Sequence, residues 1–135
     1  MTLKNNLYTI LGSETYDGRI CYNLRLHPDC FIYQAHFPGK PVTPGVCIIQ
    51  MAKELLEDHL QQSLQLTTVK NVKFLSVISP LETPGLSCVL DKIQSITGEN
   101  GESADGSQKN TIRAQFTIKS SDKDFAKLSL GFTNK

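Results

Sequence analysis

Hydrophobic and polar residues alternate along residues 19–27, where Ile20, Tyr22, Leu24 and Leu26 fall on one face. This period of two is typical of a half-buried β-strand. Strand-like composition returns four times after residue 61, which predicts further strands over 67–78, 86–96, 111–119 and 125–132. Most of the chain is therefore expected in a β-sheet.

One long helix is predicted from about residue 44 to 61. Its apolar residues recur every three or four positions on a wide face: Ile48, Ile49, Ala52, Leu55, Leu56 and Leu60. Thr43 is the expected N-cap, and Pro44 the first helical residue, where the missing N–H costs nothing. Because apolar residues surround Gln50 on nearly all sides of the first turns, this end of the helix is expected to be buried.

The order of the elements is a strand, a loop with one helical turn over 30–33, the long helix and then a meander of strands. This order predicts an α+β fold in which a single helix packs on an antiparallel sheet, within one domain of residues 1–135. Residues 97–110 are rich in Gly, Ser and Asn, and they are expected to form a long mobile hairpin loop.

Composition excludes several functional classes. The chain has 135 residues and a net charge of +1, which gives no field for a polyanion and argues against nucleic acid as the main ligand. No signal peptide or run of 18 apolar residues is present, so we expect a cytoplasmic protein without a membrane segment. The four cysteines form no C-x-x-C pair, which predicts reduced core thiols and neither a metal site nor another cofactor.

The segment 36–50 carries the candidate chemistry. Three prolines and two glycines stiffen it and deliver the chain to the start of the long helix. A histidine such as His36 is the usual general base near neutral pH. The first N–H groups of the helix, those of Gly45 and Val46, can stabilise a carbonyl oxygen that acquires negative charge. A thioester could therefore lose its α-proton to His36 while these two N–H groups hold the enolate-like oxygen.

This segment resembles the H-F-P-x-x-P-x-x-P-G-V motif of the bacterial 3-hydroxyacyl-acyl-carrier-protein dehydratases, a hot-dog-fold family. Residues 71–74, 77–78 and 84–85 are similar to the strand and Pro-Gly turn that follow the central helix in that family. The resemblance implies an antiparallel sheet wrapped around one helix. It also implies a homodimer or higher even oligomer, joined through paired edge strands, in which His36 faces Gln50 of the partner subunit.

The resemblance further implies an acyl thioester substrate, carried by acyl carrier protein or coenzyme A, in fatty-acid-type synthesis. Phe31 and Phe37 are candidates to line an apolar acyl tunnel, with Pro38 and Pro44 in the loop beside it. Lysines could meet an acidic carrier protein at the tunnel mouth, and the candidates are Lys40, Lys70 and Lys73.

The sequence departs from the family pattern where a catalytic acid is expected. The position 14 residues after the histidine is a Glu or Asp in the dehydratases, and here it is Gln50, whose amide cannot deliver a proton. Glu54 lies one turn further, roughly 6 Å along the helix, and is expected on a solvated face. Ala35 and Thr43 also replace the usual residues of the motif.

Three hypotheses follow. The first is a dehydratase-like protein in which His36 is the base, Gly45 and Val46 are the oxyanion donors and Gln50 orients the substrate hydroxyl. The second is a non-catalytic acyl-thioester-binding subunit that pairs with an active homologue. The third is a hot-dog thioesterase, against which the lack of a carboxylate at position 50 also counts.

Overall fold

The computed structural model describes residues 2–35, 39–102 and 108–135, with the backbone alone for 96–102 and 108–110. Two helices and six strands follow one another along the chain: β1 (Tyr8–Tyr16), β2 (Arg19–Leu26), α1 (Phe31–Ala35), α2 (Gly45–Leu60), β3 (Leu64–Phe74), β4 (Gly85–Glu102), β5 (Gln108–Ser120) and β6 (Lys123–Asn134). The predicted α+β fold is confirmed. No helix in this part of the chain is long and apolar enough to cross a membrane.

All six strands belong to one sheet, in the order β1-β2-β4-β5-β6-β3, and every neighbouring pair is antiparallel. The strands β1 and β3 lie at the two edges. Among the described residues, each edge strand has one neighbouring strand, and β1 makes one further isolated bridge between Tyr8 and Lys4, so both edges present unpaired backbone groups.

The core lies between one face of the sheet and α2. The alternating residues of β2 are buried as predicted, from Ile20 to Leu26, and they join Ile48, Met51 and Leu55 of α2 in one cluster. Phe116 of β5 and Phe132 of β6 meet edge to face inside this cluster, with their ring centroids 6.4 Å apart. The sheet therefore covers the apolar face of the long helix.

The strand β1 is absent from the sequence predictions. Residues 9–16 are half-buried or exposed, and a strand with so few buried side chains needs no alternation of apolar and polar residues. Backbone pairing with β2 holds this edge strand, from Tyr8 opposite Leu26 to Tyr16 opposite Arg19. The observed β3 also begins and ends about three residues earlier than the predicted strand 67–78.

The prediction of a long loop over residues 97–110 is largely wrong. Strand β4 continues to Glu102 and β5 resumes at Gln108, so the connection between them is much shorter than predicted. Residues 103–107 lie outside the described residues. The backbone hydrogen bonds between β4 and β5 need no apolar side chains, so this hairpin extends through a polar sequence.

All four cysteines are free thiols, and Cys30, Cys47 and Cys88 are buried. Burial raises the pKa of the Cys88 thiol well above its ordinary value, and the nearby Cys21 adds to the effect. The prediction of core thiols is confirmed for Cys30, Cys47 and Cys88, whereas Cys21 is half-buried.

Candidate functional site

The helix α2 begins at Gly45, with Pro44 as its N-cap residue in an extended conformation. The first N–H groups to bond within the helix are those of Cys47 and Ile48, which donate to the Pro44 carbonyl oxygen at 3.0 and 3.1 Å. Among the described residues, no hydrogen bond has the N–H of Gly45 or Val46 as its donor. Two adjacent backbone donors therefore point out of the helix, and their role as an oxyanion site stays a prediction.

Thr43 is not the N-cap, so that prediction is wrong. The α2 N-terminus has no side-chain cap, and the Thr43 hydroxyl instead shares a 2.8 Å hydrogen bond with the buried Tyr33 hydroxyl. The Thr43 N–H donates to the Ile78 carbonyl oxygen, also at 2.8 Å. Contacts to α1 and to the segment after β3 thus fix the loop that leads into α2.

Alkaline pH is expected to destabilise the fold through the buried hydroxyl of Tyr33. Burial raises the pKa of Tyr33 from 10.0 to about 12, because a buried tyrosinate would lose its hydration. The unfolded state therefore loses this proton first, and the free energy of unfolding should fall as pH rises from about 10 to about 12. Denaturant unfolding across this range should show the decline. A Tyr33→Phe variant whose pH dependence is as steep as that of a control Tyr16→Phe variant would contradict it.

The Phe74 side chain at the end of β3 lies over the first residue of α2. A Cβ atom at Gly45 would lie 2.9 Å from the Phe74 Cζ atom, so the ring approaches this closely only because residue 45 is glycine. The next side chain, Val46, is 72% exposed, and Phe74 is half exposed. The expectation that this end of the helix is buried holds for Cys47 and Ile48 and is wrong for Val46 in a single chain, where an apolar surface adjoins the two backbone donors.

Gln50 lies one turn after Val46 on the same helix face, and its side chain is half-buried. Its Nε2 atom donates a 2.8 Å hydrogen bond to the Oε2 atom of Glu54. The expected solvated position of Glu54 is wrong, because this side chain is only 8% exposed. The amide and the carboxylate therefore form one polar pair along the helix.

The Glu54 carboxylate receives three more hydrogen bonds, all from the N-terminal segment. Its Oε2 atom accepts the Leu3 N–H at 2.8 Å, and its Oε1 atom accepts the Lys4 N–H at 2.8 Å and the Tyr8 hydroxyl at 2.9 Å. Burial, followed by the charge of Glu54, raises the pKa of Tyr8, which keeps this hydroxyl protonated as a donor. The spacing of Gln50 and Glu54 was visible in the sequence, but contacts with residues about 50 positions away were not.

The other predicted site residues are spread over the molecule. His36, Phe37 and Pro38 lie outside the described residues. Phe31 is 69% exposed, in a shallow cavity with His27 and other polar residues, so it does not pack in the core. Lys40, Lys70 and Lys73 are exposed, and Pro44 is half-buried.

A cavity of about 560 Å³ lies beside Gln50, and its lining is polar and charged: Lys4, Lys53, Glu54, Glu57 and Asp58. An apolar acyl tunnel is not formed by this lining. Within the described part of a single chain, the features that fit an acyl thioester are therefore the two backbone donors and the apolar surface around them.

Comparison with known proteins identifies the family of this chain. A family model described as ApeI-like, ApeI dehydratase, matches residues 13–104. The 3-hydroxyacyl-acyl-carrier-protein dehydratase FabZ of Clostridium acetobutylicum is 28% identical over 94 residues, which cover 64% of this chain and 67% of the relative. The FabZ protein of Latilactobacillus sakei is 30% identical over 96 residues, which cover 64% of this chain and 69% of the relative.

Solved structures share the fold at lower identity. The dehydratase heterocomplex ApeI:P from Xenorhabdus doucetiae aligns with a TM-score of 0.56 and 20% identity over 93% of this chain and 96% of that one. A putative thioesterase from Shewanella oneidensis aligns with a TM-score of 0.52 and 13% identity over 96% and 83% of the two chains. The fold is thus a hot dog, and the match over residues 13–104 means that the chain belongs to the ApeI-like dehydratase family.

Proposed function

We propose that this protein binds 3-hydroxyacyl thioesters at a dehydratase-type site that has a base and an oxyanion site but no general acid. The observation that carries the proposal is the contact between Gln50 and Glu54. The amide at position 50 cannot release a proton, and the nearest carboxylate already receives four hydrogen bonds. Efficient elimination of water needs an acid in this place, so binding is expected to exceed turnover.

The chemistry follows from three groups. His36 removes the α-proton of the thioester, and the electron pair moves towards the carbonyl oxygen. The N–H groups of Gly45 and Val46 stabilise the negative charge on that oxygen. Gln50 holds the 3-hydroxyl by a hydrogen bond without protonating it, so the hydroxide remains a poor leaving group.

Native mass spectrometry tests the binding step. Purified protein should retain a 3-hydroxybutyryl thioester of N-acetylcysteamine and should not retain free 3-hydroxybutyrate, which lacks the thioester carbonyl. Equal retention of the two compounds, or retention of neither, would contradict the proposed site.

The site requires a second subunit, and the edge strand β3 is the proposed interface. Its unpaired side is a template for a strand of another chain. Leu75 and Val77, directly after this strand, are exposed, and they follow Phe74, whose ring packs against Gly45 at the start of α2. A second copy joined here by a twofold axis would cover this surface and bring its own α2 close to the first.

Light scattering should give twice the 15.0 kDa chain mass for the wild-type protein at micromolar concentration. A Leu75→Asp/Val77→Asp variant should raise the dimer dissociation constant by roughly 100-fold or more, because two charges would be buried in the interface. Leu11→Asp is the matched control, since Leu11 is an equally exposed apolar residue on the other edge strand. A monomeric wild type, or dissociation by Leu11→Asp alone, would contradict the interface.

Acyl carrier protein is the proposed donor of the thioester. Lys40 is exposed in the loop that leads into α2, and it is the candidate for contact with this carrier. Such a charge raises the association rate of an acidic partner more than it strengthens the complex. The same acyl group on coenzyme A or on N-acetylcysteamine would lack this acidic surface.

A second candidate is a subunit that completes the site of an active homologue. The missing acid at Gln50 favours it, because His36 could act with a carboxylate supplied by another hot-dog chain. The dehydratase heterocomplex ApeI:P has a similar fold, and its existence supports the second candidate. Dehydratase activity that appears only after mixing this protein with a homologue carrying Glu at that position would support the second candidate.

A further inference from the structure

A groove of about 410 Å³ crosses the strands β4, β5, β6 and β3. Three cationic side chains line it: Lys70 of β3, Lys92 of β4 and Arg113 of β5. Hydroxyl and amide side chains also contribute to the lining: Thr68, Thr111, Ser129, Gln94 and Gln115. Among the described residues, no acidic side chain lines this groove.

Gly131 of β6 forms the floor of the groove. It lies between Arg113 of β5 and Thr68 of β3 in one row of the sheet. A Cβ atom at residue 131 would lie 3.2 Å from the Thr68 Cβ atom, so a larger residue would narrow the groove. Arg113 is exposed and alternates with the buried Ile112 and Ala114, which places the groove on the face of the sheet turned away from α2.

Two β-bulges place the lysines on opposite sides of this floor. The extra residue of the β3 bulge is Lys70, next to the position opposite Leu130 of β6. The β4 bulge lies opposite Ala114 of β5 and includes Lys92. Ala114 and Leu130 pair with each other, so the two bulges lie at the same level of the sheet. Bulges redirect side chains, and here each one brings a lysine to the groove.

The backbone of Lys92 is held in an unusual conformation. Its φ is 50°, in the left-handed region that glycine adopts more easily than lysine. The Asp91 Oδ1 atom accepts the Lys92 N–H at 2.8 Å, and the Asp91 Oδ2 atom lies 3.5 Å from the Arg19 Nε atom. The carboxylate nearest to Lys92 in the chain is therefore already paired with another cation. Strained backbone of this kind is concentrated at functional sites, which supports a role for the Lys92 side chain.

We infer that this groove binds a diphosphate group. Among the described residues, no ion pair or side-chain hydrogen bond involves Lys70, Lys92 or Arg113, so all three charges are available to an anion. The strands β4 and β3 are three strand spacings apart, roughly 14 Å, and β5 lies between them. An extended anion with more than one charged group therefore fits the three cations better than a single phosphate or carboxylate does.

Phosphate chemistry also fits the other groups of the lining. A guanidinium group such as that of Arg113 can donate two parallel hydrogen bonds to one phosphate. The hydroxyl and amide groups supply further donors, and a diphosphate has more acceptor oxygens for them than a carboxylate has. An acidic protein fits less well, because the apolar side chains in the described lining, Ala114 and Leu130, are buried and cannot anchor a partner.

Calorimetric titration of the full chain with inorganic pyrophosphate and with ADP tests the site at physiological ionic strength. The two ligands distinguish the free ion from an organic diphosphate, and binding of either supports the site. Arg113→Gln should raise the dissociation constant of the ligand that binds by roughly 10- to 100-fold, the effect of losing hydrogen bonds to a charged group. Lys70→Gln/Lys92→Gln, at two exposed positions, is the second variant should Arg113→Gln fail to fold, and it should weaken binding at least as much.

Lys123→Gln is the matched control, because it also removes one positive charge. Lys123 is exposed at the start of β6, roughly 20 Å along the strand from Ser129, so its charge is screened from the groove. The dissociation constant of this variant should equal that of the wild type. Failure of both ligands to bind, an equal loss in Lys123→Gln, or equally tight binding of a pentaglutamate peptide would overturn the diphosphate site. The groove lies on the opposite face of the sheet from α2, so none of these results bears on the proposed thioester site.

Discussion

Gln50→Glu is expected to raise the rate of 3-hydroxyacyl thioester dehydration by about 10²- to 10⁴-fold, the usual contribution of a general acid. The new carboxyl group would lie in a half-buried position within hydrogen-bond distance of Glu54, because the Gln50 amide nitrogen is 2.8 Å from a Glu54 oxygen. Burial and the neighbouring negative charge both raise the pKa of such a carboxyl group. It should therefore carry a proton near neutral pH and deliver it to the departing hydroxyl.

The assay follows the conjugated enoyl product from a short 3-hydroxyacyl thioester. Gln62→Glu, at an exposed position, is the matched control and should leave the rate unchanged. Gln50→Glu/Glu54→Gln removes the like charge, so its rate maximum should shift to lower pH than that of the single variant. No rise in the single variant would mean that Ala35 or Thr43 has displaced the site, and the subunit hypothesis would then be the better account.

His36→Ala is expected to slow removal of the α-proton by about 10²- to 10⁴-fold, because a positioned general base contributes that much. The reaction to follow is exchange of the C2 hydrogen of butyryl thioester for deuterium in D₂O. This ligand has no hydroxyl to lose, so exchange reports the base and the oxyanion donors without the acid. Mass spectrometry of the recovered thioester measures it directly.

The chain has three histidines, and the other two supply the controls for this experiment. His59 is exposed on α2, and His27 forms a 2.6 Å hydrogen bond with Thr9, outside the proposed site. His59→Ala and His27→Ala should therefore exchange the C2 hydrogen at the wild-type rate. Equal exchange rates in all three variants would remove His36 from the mechanism. A slower exchange in His27→Ala alone would mean that the base is not His36.

The spacing of apolar residues predicted those elements in which the buried residues recur with the period of a strand or of a helix. The strand β2 and the helix α2 were found within a few residues of their bounds because their apolar faces meet the same core. The edge strand β1 has few buried side chains and depends on backbone pairing with β2, which no local pattern reports. The extension of β4 and β5 into residues 97–110 depends on the same kind of pairing.

The candidate site was predictable where it depends on neighbouring residues in the chain. The helix start at Gly45 and its two N–H donors follow from the Pro-Gly sequence. The burial of Glu54 depends on the N-terminal segment, and the hydrogen bond of Thr43 depends on Tyr33. Both contacts arise from tertiary packing. In each, the partner of the polar residue lies outside the helix, so the spacing of residues along the helix does not predict it.

In the proposed mechanism, the protein retains the base half of dehydration and lacks the acid half. Incubation of the wild-type protein with 3-hydroxybutyryl thioester in D₂O tests it in one sample, by comparing deuterium at C2 of the recovered substrate with the enoyl product. Deuterium should enter the substrate much faster than the enoyl product forms, because His36 takes and returns a proton while the hydroxyl stays. Product formation at least as fast as deuterium uptake, or no deuterium uptake at all, would contradict it.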